Sequence, residues 1–289
     1  MTQLLLGVDI PAGADRESDP VADARHAERL GFDFVSANDH PEGTQPTHET
    51  WTMLTWIAAA TSRITVASRV LGVPYRSPAI VAKMAATLDG LSGGRLILGL
   101  GGGYSDHEFK ALGLRVPTPR EKIDGLEEAI RITLGLWSES AFTFEGRYFH
   151  TVAAELEPKP SRRIPIWVGT YGPRALAVTG RLADGWIPSF DSAPPERIPA
   201  MREIILNTAR QAGRNPEEIT FAYNIEVRIG AGGTPDPGIV SGSPDEVAER
   251  LAALIPLGVG AINLKPVGPD RSSQVEQLGV EVLPVLRAA

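Results

Sequence analysis

Cysteine is absent from the 289 residues, which excludes disulfides, thiolate metal sites, iron–sulfur clusters and a cysteine nucleophile. No run of apolar side chains approaches the roughly 20 residues that span a bilayer. Residues 1–10 lack the basic start and long apolar stretch of a signal peptide. Positive charge is in deficit: 28 Lys and Arg face 35 Asp and Glu, a net of −7. Such a surface repels duplex nucleic acid and anionic lipid, so neither is expected as the main partner. The 43% hydrophobic content is that of a folded domain rather than a disordered chain. A soluble, cytoplasmic protein acting on a small molecule is the expectation.

What is present is a repeating pattern. Short β-branched runs predict strands over 4–10, 34–40, 64–71, 95–101, 164–169, 185–190, 219–229 and 261–267. Amphipathic segments predict a helix after each, over 21–30, 49–61, 79–91, 120–137, 174–183, 196–212, 245–257 and 275–286. That alternation predicts one α/β domain over 1–289, a (β/α)₈ TIM barrel. Proline at the first helical position follows a capping residue at Asp19-Pro20, Ser77-Pro78, Thr118-Pro119 and Ser243-Pro244. Thr118 with Glu121, and Ser243 with Glu246, fit capping boxes. Gly31, Gly213 and Gly258 mark helix ends. Two aromatic runs around Glu145-Gly146 predict a hairpin excursion before strand five, and 234–238 reads as a second loop. Trp51 and Trp56 are expected to pack against the core.

In this fold the chemistry sits at the C-terminal ends of the strands. Strand two ends in Asp39-His40, either a proton-handling pair or a histidine that satisfies loop backbone. Strand three carries Arg69, a charge that must face a pocket or an ion-pair partner. Strand four ends in Gly101-Gly102-Gly103-Tyr104, where a ligand or another backbone can approach closely. Strand five ends in Gly169-Thr170-Tyr171-Gly172, with Arg174 opening the next helix; this suits a phosphate or an ordinary loop. Lys265 could form a Schiff base or sit solvated or paired. No spacing of His, Asp and Glu makes a metal site, and P-loop, nucleophile-elbow and Rossmann motifs are missing.

Several stretches together resemble the luciferase-like flavin and deazaflavin oxidoreductase superfamily. They are 27–34 leading to Asp39-His40, 74–78, 86–101, 166–174, 183–186 and 242–247, and the match runs over nearly the whole chain. The resemblance implies a (β/α)₈ barrel with a flavin-type ring at its mouth. It implies coenzyme F-420 as the cofactor, with FMN as the alternative. It places a non-proline cis peptide at Arg69–Val70 behind the ring, close to Gly72, and His40 near the reactive face. Gly101 to Tyr104 and His107 would edge the ring, and Gly169 to Arg174 would meet the phosphate-bearing chain. Lys159, Arg162 and Arg163 offer charge to an acidic cofactor tail. Tyr104 and Thr44 depart from the sugar-phosphate dehydrogenases of the family, which carry glutamate and tryptophan there. The implied activity is hydride transfer to or from a small organic substrate, with His40 and Tyr104 as catalytic candidates. An FMN-dependent monooxygenase and a non-catalytic flavin-binding barrel are the alternatives. A homodimer, and a flavin or F-420 reductase as redox supplier, are the implied partners.

Overall fold

The computed structural model describes residues 4–230, 238–268 and 270–289. Its strands are β1 (Leu5–Asp9), β2 (Phe34–Ala37), β3 (Thr65–Ser68), β4 (Leu71–Gly72), β5 (Leu96–Gly101), β6 (Phe142–Glu145), β7 (His150–Ala154), β8 (Ile166–Val168), β9 (Gly185–Trp186), β10 (Thr220–Ile229), β11 (Ile239–Gly242) and β12 (Ala261–Pro266). Parallel pairing runs β1–β2–β3–β5–β8–β9–β10–β12 and returns to β1, where Leu5 faces Ala261. The sheet is closed, so the barrel has no free edge. Helices follow the barrel strands and cover the outside, as the alternation predicts.

Alternate residues of a strand face opposite sides of a sheet, so one in two enters the barrel. Phe34, Ala67, Ile97, Trp167, Ile187, Ala222 and Ala261 share that phase and form an apolar plug. Phe34 and Trp167 meet edge to face, with ring centroids 5.6 Å apart. Glycine makes room for them: a Cβ on Gly7 would lie 2.3 Å from the Phe34 ring. Above the plug, buried side chains of the same phase become polar. Ser36 donates to Asn263 at 3.0 Å, Asn263 to Asn224 at 2.8 Å, and Asn224 to Ser189 at 3.3 Å. Each buried amide thereby keeps a partner. The barrel is therefore apolar near the starts of its strands and polar toward their ends.

The helix signals hold in detail. Both capping boxes form, at Thr118/Glu121 and at Ser243/Glu246, and Pro20, Pro78, Pro119 and Pro244 open their helices. Asp19 caps with its side chain, whereas Ser77 makes no side-chain cap. Gly31, Gly213 and Gly258 all take positive φ. The strand predicted over 64–71 divides into β3 and β4 at Arg69–Val70, a cis peptide bond, and both halves pair with β5. Strand β11 and the short helix Asp106–Ala111 have no counterpart in the sequence reading. Strands β6 and β7 pair antiparallel, and Glu128 holds their tip by accepting N–H bonds from Arg147, Tyr148 and Phe149 at 2.7, 2.9 and 2.9 Å. Of the loop read over 234–238, residues 234–237 lie outside the described residues. Trp51 is buried, but Trp56 is 70% exposed.

Gly99 is the tightest backbone approach in the barrel wall, since a Cβ there would lie 1.8 Å from the Ser68 carbonyl oxygen. Gly99→Ala should therefore lower unfolding free energy by at least about 1–3 kcal/mol. Gly90, on an open helical face, is the control; Gly90→Ala should raise stability by about 0.4–1 kcal/mol. Urea denaturation of both variants tests the pair, and an unchanged midpoint for Gly99→Ala would contradict the packing described.

Candidate active site

The strand ends open into a cavity of about 630 Å³. That is within the roughly 300–1,000 Å³ usual for cofactor and small-molecule sites. Its walls follow from strand phase: Asp9 of β1, Asn38 after β2, Arg69 after β3, Gly101 of β5, Gly169 after β8, Ser189 after β9 and Lys265 of β12 all line it. Val70 and Ile187 supply apolar surface beside the main chain of Gly72, Gly101, Gly102, Gly103 and Gly169. A Cβ on Gly101 would lie 2.6 Å from a Val70 methyl, so the glycine keeps this wall flat. Gly102 and Gly103 donate no backbone hydrogen bond to any described residue.

His40 lines the cavity and is 44% exposed at its side chain. Its Nδ1 lies 2.9 Å from Glu108 Oε1. A carboxylate at that end accepts, so Nδ1 carries the proton and Nε2 is the nitrogen left to exchange one with a ligand. Glu108 is buried on the helix Asp106–Ala111, and its other oxygen accepts from the Tyr75 hydroxyl. Burial, and then the hydrogen bond to Glu108, push the Tyr75 phenol well above its ordinary value. A carboxylate this buried depends on those partners, because an unpaired buried charge is costly.

Asp39 is not the partner of His40. Its two oxygens accept from Arg76 at 2.7 and 2.9 Å, and Oδ2 also accepts from the Gly72 N–H at 3.0 Å. Arg76 reaches Glu49 as well. Asp39 thus fixes the chain beyond the cis peptide against the end of β2. Arg69 answers both expectations, since it lines the cavity and pairs with Asp9 at 2.5 Å. Lys265 lines the cavity and pairs with Glu226 at 2.7 Å.

Of the other residues singled out from sequence, Val70, Gly72, Gly101, Gly102, Gly103, Gly169 and Tyr171 line the cavity, and Tyr104 stands at its rim, 89% exposed. Thr170, Gly172, Arg174 and His107 do not. Thr170 turns into the protein, bonding Thr179 at 2.9 Å and accepting at its carbonyl from the Trp186 indole. Gly172 caps the helix Pro173–Leu182, and Arg174 pairs with Asp124. His107 is 81% exposed beside Glu42. Lys159 bonds the carbonyls of Leu136 and Glu139, while Arg162 and Arg163 pair with Asp89 and Asp184, so all three are engaged away from the cavity. Sequence reasoning missed Asp9, Asn38, Ser189, Tyr75 and Glu108. Strand phase could have found the first three. Glu108 follows Ser105 by three, the spacing of a capping box, and Ser105 does accept its N–H at 3.3 Å. The Glu108 carboxylate instead turns to His40 and Tyr75.

The description "luciferase-like monooxygenase" fits residues 6–233 by family model. The chain belongs to the luciferase-like monooxygenase family. An F420-dependent glucose-6-phosphate dehydrogenase of Kineococcus radiotolerans is 30% identical over 91% of this chain and 91% of its own. An F420-dependent secondary alcohol dehydrogenase, solved with an F420–acetone adduct, superposes with a TM-score of 0.88 at 20% identity, over 98% of this chain and 99% of that one. The coenzyme F420-dependent tetrahydromethanopterin reductase of Methanopyrus kandleri gives 0.84 at 22% identity, over 98% and 99%. At those identities the two structures establish that this luciferase-like chain shares their fold.

The raised Tyr75 phenol has a consequence for stability in alkali. A group whose folded pKa lies above its unfolded value contributes stability in full below the unfolded value, and loses it as pH rises through the folded one. Wild-type stability should therefore fall more steeply above about pH 10 than that of Tyr75→Phe. Urea midpoints taken between pH 8 and pH 11 compare the two slopes; parallel curves would rule out the buried phenol.

Proposed function

We propose that this protein transfers hydride between coenzyme F-420 and a small organic substrate at the barrel mouth. The observation that carries this reading is a carboxylate-held histidine facing a flat wall of glycine main chain and Val70 in one cavity. Such a wall suits a planar ring, and the cavity's volume is in the range of small-molecule sites. The F420-dependent relative, aligned over nine-tenths of both chains, supports the choice of cofactor. F-420, when bound, supplies the hydride-carrying ring.

The chain's own residues would do the rest. Val70, Gly101, Gly169 and Ile187 would receive the ring, and the N–H groups of Gly102 and Gly103 would meet its phosphate. His40 would pass a proton to or from the substrate at Nε2 while Glu108 holds Nδ1. Tyr75 keeps Glu108 in place, and Tyr104 at the rim offers the substrate a hydroxyl. A sugar phosphate is a poor match. Among the described residues lining the mouth, Arg69 is paired with Asp9 and Lys265 with Glu226, and Asp191 adds negative charge. In this reading the enzyme works in the cytoplasm beside a reductase that resupplies its cofactor.

Anaerobic fluorescence titration tests the cofactor: F-420 should bind submicromolar and FMN far more weakly. The reverse order, with oxygen consumed by reduced FMN, would replace this reading with a monooxygenase. Binding of F-420 without turnover of any alcohol or carbonyl compound would leave a non-catalytic barrel. His40→Ala should retain F-420 affinity and lose about 10²–10⁴-fold in turnover. Normal single-turnover hydride transfer in that variant would remove the proposed role.

We also propose a homodimer. The helix Thr50–Ala60 has no charged residue, yet Thr52, Trp56 and Ala59 face outward. The helix Pro78–Ser92 beside it exposes Ile80 (58%) and Leu91 (82%). A helix without charge that exposes a tryptophan is suited to a covered face, and a two-fold axis would bury this one against its own copy. Sedimentation equilibrium should give twice the 30.9 kDa chain mass. Trp56→Glu should give the monomer; a monomeric wild-type protein would refute the assembly.

A further inference from the structure

The hydrogen-bond chain beneath the mouth has a direction, and one donor-only group sets it. Arg69 Nε donates to Ser36 Oγ at 3.3 Å, and a guanidinium accepts nothing in return. The Ser36 O–H is therefore left for Asn263 Oδ1, 3.0 Å away. That turns the Asn263 amide so that its N–H reaches Asn224 Oδ1 at 2.8 Å, and Asn224 in turn donates to Ser189 Oγ at 3.3 Å. Ser36, Asn263 and Asn224 are all buried, so each group finds its partner within the chain. Ser189 is where the chain ends. Its oxygen accepts, and its own O–H donates to no described residue. The serine's main chain is fixed as well, because its N–H donates to the Tyr171 hydroxyl at 3.2 Å.

Ser189 stands across the mouth from His40. His40 follows β2 and Ser189 follows β9, which lies four strands away in either direction around the closed sheet. Both line the same cavity. Ser189 also lines a side chamber of about 260 Å³ that shares Arg69, Asp191 and Lys265 with that cavity. The charges there decide what the hydroxyl can receive. Arg69 pairs with Asp9 and Lys265 with Glu226, while Asp191, two residues from Ser189, has no cation partner among the described residues. An anionic group brought to Ser189 would meet that carboxylate with no unpaired cation to offset it. A neutral oxygen needs only the O–H. His40 serves the oxygen that gains or loses a proton, so the Ser189 hydroxyl is available to a different one.

We infer that Ser189 donates a hydrogen bond to an uncharged oxygen of the substrate, remote from the carbon that exchanges hydride. The substrate class is then a ketone or secondary alcohol that carries a second, neutral acceptor such as an ester or amide. The inference rests on the hydride-transfer reading and names the substrate of that same site. In the reducing direction the substrate gains hydride at its carbonyl carbon and a proton at its carbonyl oxygen, while reduced F-420 is reoxidised. The oxygen held by Ser189 keeps its bonds throughout.

The test compares three probes in anaerobic reduction by reduced F-420: methyl levulinate, the levulinate anion and methyl amyl ketone, which matches the ester in chain length. Wild-type kcat/KM for methyl levulinate should exceed that for methyl amyl ketone about three- to tenfold, the factor expected of one neutral hydrogen bond. Levulinate should fall below both. Ser189→Ala should bring the ester-to-ketone ratio to one, and Ser189→Thr, which keeps the hydroxyl, should preserve it. Fluorescence titration with F-420 should give wild-type affinity for both variants, which also reports that they have folded. A wild-type ratio of one, a preference for levulinate, or a ratio that survives Ser189→Ala would overturn the inference. So would loss of F-420 affinity in Ser189→Ala, because the hydroxyl would then serve the cofactor. Failure to reduce any of the three probes while F-420 binds removes the substrate class and leaves the cofactor reading in place. If F-420 does not bind the wild-type protein, the hydride-transfer reading falls and takes this inference with it.

Discussion

The mouth of this barrel is organised by one buried carboxylate. Glu108 is held on a six-residue helix, and its two oxygens reach residues from two other loops. His40 comes from the end of β2, and Tyr75 from the turn beyond the cis peptide. Three excursions of the chain are thereby tied at a single point. The arrangement is mutually dependent. The carboxylate tolerates its burial because both oxygens are satisfied, and the histidine is oriented because one of them is already in place. Asp39 repeats the device one residue away, binding Arg76 and the Gly72 N–H. The two acids divide the work: Asp39 sets where the backbone runs, and Glu108 sets which way the imidazole faces.

Local features of the chain carried much of this into the sequence. The capping boxes, the prolines that open helices and the strand count depend on neighbours a few residues apart, and these are legible. The family resemblance extended that reach to the Arg69–Val70 bond. The partner of His40 was not legible, because Glu108 is 68 residues away and wears the spacing of an ordinary helix cap. Thr170 shows a different kind of error. A loop was read as a block, although alternation sends Gly169 and Tyr171 to the cavity and Thr170 to Thr179. Trp56 shows a third. A tryptophan on a helix without charge reads as core, yet its ring is exposed on the outward face of that helix.

Charge along the barrel axis is arranged with similar economy. The plug of Phe34, Ile97 and Trp167 has no polar side-chain atom except an indole N–H. The next level is neutral amide and hydroxyl, and formal charge is met only where solvent reaches. There the cations Arg69 and Lys265 each have an acid at hand. A ligand entering the mouth therefore meets paired charge first and neutral hydrogen-bonding groups beneath it. Beyond the glycine loop, under the hairpin, Arg115 and Lys122 are paired in the same way, and Arg147 lies over the Tyr148 ring.

The glycine wall has a consequence for how such an enzyme changes over evolutionary time. A surface made of main chain, one valine and one isoleucine has no side-chain functional group with which to tell one planar ring from another of the same outline. For a ring bound there as proposed, discrimination between cofactors would fall to the periphery, to loops that can be exchanged without disturbing the barrel. A scaffold built this way can alter its redox partner while preserving its interior. One lineage could then hold oxygen-using and oxygen-indifferent members whose central residues look alike.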